Sequence, residues 1–188
     1  MALTTLDPNT ALIVVDLQKG IIGSRFTHPI GEVLERSRAL IDRFRAGRLP
    51  VVLVNVAGGA PGRTEQPPRH NSPFPDDFTE FVPELGQQPG DIVVTKRSWG
   101  AFATTDLGAR LKAGGVTQVV IIGVATGTGV EATARQAYEG GLNVTLALDA
   151  MTDGRPEAHE YSLRYVFPRL GETGTSQEII ELLAARSA

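Results

Sequence analysis

Ala11-Leu12-Ile13-Val14-Val15-Asp16 is an unbroken apolar run that ends on a carboxylate. Runs without polar alternation read as parallel strands buried on both faces. The same signature returns at Pro50–Asn55, Asp91–Thr95, Gln118–Gly123 and Asn143–Leu148, and a weaker sixth strand is read near Arg169–Glu172. Helical patterns lie between the runs. Ile30–Ala46 brings Val33, Leu34, Leu40, Ile41 and Phe44 toward one face and stops at Gly47. Shorter helices are read over Thr105–Ala113, with Thr105 a candidate cap, then Val130–Tyr138, Pro156–Val166 and Ser176–Ala185, the last capped by Thr175 or Ser176.

Strand and helix alternate throughout, which predicts a three-layer α/β/α doubly wound domain around a mainly parallel sheet of about six strands. No linker or repeat divides the 188 residues, so one domain is expected over 1–188. The departure from the alternation is Ala57–Pro89, which is rich in proline and glycine. A loop of that length reads either as a flexible insertion or as a lid over a site.

Composition narrows the function. Hydrophobic residues make up 41% and charged residues 21%, with a formal net charge of −3 and no polybasic run. This gives no electrostatic reason to bind nucleic acid or an anionic membrane. No stretch approaches the ~20 apolar residues of a membrane span. Met1–Thr5 lacks the basic start of a signal peptide, so the cytoplasm is the expected compartment. Cysteine is absent, which excludes disulfides, thiolate metal sites and thiol catalysis together.

Ligands of an open parallel sheet bind beyond the carboxyl ends of its strands. That rule selects Asp16, Lys96, the Gly123–Gly129 turn, Asp149 and Asp153. Asp16 should be partly desolvated and Lys96 is the cation to meet it; a plain ion pair is the equal alternative. The glycines at 123, 127 and 129 match neither the dinucleotide fingerprint nor the phosphate loop, which needs Gly-Lys-Ser/Thr. Backbone amides there would instead receive an anion or oxyanion.

Three motifs in this order carry a resemblance along nearly the whole chain: Val14-Val15-Asp16-Leu17-Gln18, Thr95-Lys96-Arg97-Ser98-Trp99-Gly100-Ala101-Phe102, and Gly123-Val124-Ala125-Thr126 with Gly129-Val130-Glu131-Ala132-Thr133-Ala134-Arg135. The sequence resembles the isochorismatase-like, or cysteine hydrolase, superfamily. The resemblance implies that Asp16 and Lys96 are two members of an Asp–Lys–Cys triad. It implies that the Val124–Ala125 peptide matches a non-proline cis bond whose amides, with Gly129, face an oxyanion. The nucleophile position is Gly129, so the thiol is missing. True isochorismatases resemble the family with glycine there, which implies vinyl-ether hydrolysis with Asp16 as general acid and no covalent intermediate. A ligand-binding protein without activity, and an amide hydrolase with glycine in place of cysteine, stay open as alternatives.

A hydroxyl does not clearly replace the thiol: Ser98 and Thr126 lack a histidine base in sequence, and His28, His70 and His159 read as surface or lid histidines. Candidate substrate contacts are Gln18, Phe26, Arg63, Gln66, Ser98 and Trp99, with Arg63 suited to a carboxylate. The 57–71 segment contains His70 and no aspartate, so no metal and no cofactor is expected. The expected partners are a small molecule and, by resemblance, further copies of the chain as a dimer or tetramer.

Overall fold

The computed structural model describes residues 3–66 and 73–186. Its elements in order are β1 (Thr10–Val15), α1 (Lys19–Ile22), α2 (Ile30–Ala46), β2 (Val51–Val56), a 3₁₀ turn (Pro83–Leu85), β3 (Ile92–Lys96), α3 (Leu107–Ala113) and β4 (Gln118–Val124). A π-helical turn (Thr126–Val130), α4 (Glu131–Glu139), β5 (Asn143–Thr152), α5 (Pro156–Tyr161), a second π turn (Ser162–Val166), α6 (Phe167–Leu170), β6 (Glu172–Gly174) and α7 (Ser176–Ala185) complete it.

The six strands form one sheet in the order β3-β2-β1-β4-β5-β6, and every pairing is parallel. The apolar runs are buried on both faces because each face is covered. Leu12, Val14, Leu53, Val120 and Ile122 pack with α2 and with Ile179 and Leu183 of α7. Ala11, Ile13, Val15, Val54 and Ile121 pack against Leu107 and Leu111 of α3, Ala134 and Ala137 of α4, and Phe167 of α6. Strand order reverses direction between β1 and β4, and the carboxyl ends of strands at such a switch point are where open parallel sheets bind their ligands. Close approach there requires glycine: a Cβ on Gly123, at φ +112, would stand 2.1 Å from the Val15 carbonyl oxygen.

Several boundaries differ from the sequence reading. The sixth strand is Glu172–Gly174, because residues 167–170 turn once as helix. Helix α3 starts at Leu107, whose amide donates to the Thr105 hydroxyl at 3.2 Å. The expected Pro156–Val166 helix is α5, a π turn and α6 in succession, reaching Leu170. Strand β5 runs on to Thr152 through a register shift in which Ile121 and Gly123 face Leu146 and Met151. Asp149 therefore lies inside β5, and its carboxylate accepts from the Ser176 amide and hydroxyl at the start of α7. Thr175, with Glu178, forms the capping box of that helix.

The second half of the 57–89 loop is framework rather than insertion. Phe78, Val82 and Leu85 are buried, and Phe81 bridges to Gln18.

Candidate active site

Asp16 leaves β1 in the left-handed conformation, φ 54, at the point where the strand ends. That region is sparsely populated by residues other than glycine, with aspartate among the better tolerated. Lys96 is the last residue of β3, two strands away, and its length lets it cross β2. Its Nζ donates to Asp16 Oδ2 at 2.8 Å and to the Ser98 carbonyl at 3.2 Å. Both side chains are buried, at 2% exposure for Lys96 and 9% for Asp16.

The second Asp16 oxygen, Oδ1, is buried with no hydrogen-bond partner. Desolvation pushes the Asp16 carboxyl up from 3.8 to about 6, although the Lys96 cation pulls it back down. Such a group is half protonated near pH 6 and keeps a minor protonated fraction at neutral pH, in the range suited to general acid work.

The turn after β4 closes the third side. The Val124–Ala125 peptide is cis. The Gly127 amide donates to Asp153 Oδ2 at 2.8 Å, and the Thr128 and Val130 amides both donate to the Ala125 carbonyl. None of these is an amide of 124, 125 or 129. Gly129 is buried against Asp16: a Cβ there would stand 3.0 Å from Asp16 Oδ2 and 3.1 Å from both the Val124 oxygen and Val15 Cγ1.

Other expected residues are placed differently. Gln18 is fully buried, donating to the Val56 and Phe78 carbonyls and accepting from the Val56 amide. Its amide group ties the loop to β2 instead of facing a ligand. Ser98 Oγ donates to the Gly100 carbonyl, and Trp99 is 68% exposed. Phe26 packs half-buried on the core of the α2 face. Arg63 and Gln66 are exposed. His70 lies outside the described residues.

His159 is the largest correction: it is 4% exposed, and its Nδ1 lies 2.8 Å from the fully buried Thr126 hydroxyl. A histidine does face a hydroxyl, 33 residues away, which local sequence could not show. Asp153 does not complete a serine-type triad, since its oxygens accept from the Gly127 and Arg155 amides. Two more supports had no sequence signal. Thr133 donates to the Gly129 carbonyl and accepts from the Ala101 amide, while Gln136 Oε1 receives the amides of Phe102 and Ala103. Helix α4 thereby fixes the turn after Lys96 to the turn after β4. Among the described residues, no group of three or more His, Asp or Glu side chains gathers to hold a metal ion.

The model of the isochorismatase domain family matches residues 10–178. The chain belongs to the isochorismatase family. An isochorismatase family protein of Bacillus subtilis, YwoC, is 42% identical over 181 residues, covering 92% of this chain and 93% of its own. The structure of an isochorismatase family protein from Burkholderia thailandensis superposes with a TM-score of 0.91 at 37% identity, over 96% of this chain and 98% of that one. Streptothricin hydrolase of Streptomyces noursei is 40% identical over 142 residues, 74% of this chain and 48% of its own length. The protein is thus an isochorismatase-family hydrolase with a buried Asp–Lys pair and glycine beside it. Among the described residues, no helix is long and apolar enough to cross a membrane.

Proposed function

We propose that the protein hydrolyses the vinyl ether of a small carboxylated substrate, isochorismate being the first to test, by acid catalysis without a covalent intermediate. The observation that carries this reading is the buried, unpartnered Oδ1 of Asp16, on a carboxyl raised to about 6 whose other oxygen, Oδ2, lies between Lys96 and Gly129. Lys96 holds the other oxygen, so Oδ1 carries the proton. That proton passes to the terminal vinyl carbon and leaves an oxocarbenium ion. Water adds to the cationic carbon and returns a proton to Asp16. The resulting hemiketal then collapses: its hydroxyl loses a proton as the ketone forms, the bond to the ring oxygen breaks and that oxygen takes up a proton, releasing pyruvate and the dihydroxy acid. General acid catalysis of this kind contributes about 10²–10⁴ in rate.

Glycine at 129 supports the reading in two ways. It cannot form a thioester, and it keeps the Asp16 carboxyl free of the crowding that a Cβ 3.0 Å away would impose. The turn amides of 124, 125 and 129 receive the substrate carboxylate, and the exposed Arg63, Gln66 and Trp99 are the side chains available to meet the rest of it.

The test is pyruvate release from isochorismate, with ammonia release from nicotinamide as the amide control. Turnover of isochorismate that disappears in Asp16→Asn supports the reading. Ammonia from nicotinamide without pyruvate from isochorismate would sink it, and tight binding of isochorismate without turnover would replace it with the inactive ligand-binding alternative.

A further inference from the structure

One segment, Asp153–Ser162, grips the turn after β4 at two points and the first residue of α4 at a third. Asp153 Oδ2 accepts from the Gly127 amide at 2.8 Å, His159 Nδ1 meets the Thr126 hydroxyl at 2.8 Å, and Ser162 Oγ donates to Glu131 Oε2 at 2.6 Å. Ala158 fills the remaining gap, since a Cβ on Gly127 would stand 3.0 Å from the Ala158 Cβ. Two of these bonds join side chain to side chain, and the Thr126 hydroxyl is fully buried. A buried polar pair is costly unless its geometry is satisfied, and an apolar pair of the same shape would serve packing equally well. What the pair adds is direction. It fixes the Thr126 side chain and, with it, the backbone on either side.

His159 has a defined electrostatic setting. The His28 ring lies against it with centroids 4.7 Å apart, and His28 is held in turn by the Thr152 hydroxyl through its amide and Nδ1. Burial, and then His28, push the His159 imidazole below its ordinary 6.5, while Glu160 and Asp153 pull it the other way. The ring that Thr126 meets at neutral pH is therefore mainly uncharged.

We propose that His159 is a positioning residue: through the Thr126 hydroxyl it sets the direction of the 124–129 backbone beside Asp16, so that the turn amides point at the substrate carboxylate. This rests on the reading of the site given above. His159 touches no substrate and moves no proton to it.

The experiment uses four variants of the full chain. Thr126→Val removes the hydroxyl at constant shape, and His159→Leu removes the ring nitrogen. Thr126→Ser keeps the hydroxyl, and His159→Asn keeps a polar atom near the place of Nδ1. Thr126→Val and His159→Leu are each expected to raise KM for isochorismate about tenfold, the effect of one lost hydrogen bond, with kcat changed far less. The double variant should lose no more than either alone, and the two conservative variants should recover to within about threefold.

A second measurement needs no substrate. Asp16 titrates in the same window beside Gly129, and the Gly127 amide also meets the Asp153 carboxylate, so the measurement is made in an Asp16→Asn background. As pH falls from 8 to 5, the backbone amide resonances of Thr126 and Gly127 should there follow the His159 ring titration, read from its own ring resonances. That step should persist in His28→Gln and vanish in His159→Asn. If isochorismate is not turned over at all, the functional reading fails and the amide titration still decides the positioning role. If His159→Leu does not fold, Thr126→Val and His159→Asn carry the test. Amides at 126 and 127 that ignore the His159 titration would overturn the proposal. So would a Thr126→Val protein that is less stable yet keeps its KM.

Discussion

Asp91 and Asp16 each meet a cation inside this protein, and the two pairs are finished differently. Asp91 faces Arg45 with its side chain 3% exposed, and both of its oxygens are occupied: Oδ1 by Arg45 Nε at 3.1 Å, Oδ2 by an Arg45 terminal nitrogen at 2.5 Å and the Gln88 amide at 2.8 Å. That is a two-pronged guanidinium fork, the geometry that best offsets removing two charges from water. Asp16 receives one bond from a lysine on one oxygen, and the other oxygen is buried alone. Buried polar atoms are nearly always satisfied, so an unpartnered carboxylate oxygen marks a place where structure was not the only constraint. The first pair pins α2 to the start of β3. The second leaves a raised carboxyl with one oxygen unoccupied, the group that the proposed reaction uses as its proton donor.

The contrast can be broken by removing each carboxylate in turn. Asp16→Asn should lower kcat/KM for isochorismate by about 10²–10⁴, with the circular dichroism spectrum unchanged. Asp91→Ala should do the reverse. It leaves a mostly buried guanidinium with only the longer Asp42 contact at 3.8 Å among the described residues, and should lower unfolding stability in urea by about 3 kcal/mol, while activity per folded molecule stays the same. A loss of activity in Asp91→Ala equal to that in Asp16→Asn would erase the distinction.

The pH dependence sharpens it further. With Asp16 near 6 and the protonated form required, kcat/KM should fall about tenfold per pH unit above that value. Lys96→Met removes the cation that pulls the carboxyl down, so the falling limb should move to higher pH. Stability carries the same signature. The folded protein holds the Asp16 proton longer than the unfolded chain, so this contribution is full below 3.8 and is lost as pH rises through about 6. Urea unfolding across that window should therefore show wild type losing stability relative to Asp16→Asn. The smallest effect belongs far from either pair: Thr175→Ala opens the α7 capping box and should cost about 1 kcal/mol by thermal unfolding, with catalysis untouched.

The sequence made the sheet legible because a strand buried on both faces writes itself as an apolar run, as Ala11–Val15 and Gln118–Gly123 do. It was less clear wherever the backbone leaves a regular period. The bulge that carries Asp149 back into β5, and the two π turns, break the spacing on which periodicity depends. Gln18 was misread for a related reason. Its position two residues after Asp16 suggested the site, but the carbonyls it serves come from residues 56 and 78.

Taken alone, the order of residues determined that a parallel α/β sheet would form, that Asp16, Lys96 and the 123–129 turn would lie at its carboxyl edge, and that no thiol could stand at 129. Those are consequences of local burial pattern and composition. Tertiary structure alone decided that Lys96 meets Asp16 through one oxygen, that Gly129 packs against that carboxylate, and that His159 turns inward to Thr126. Each of these joins residues tens of positions apart, and only the order of strands in the sheet brings them within bonding distance.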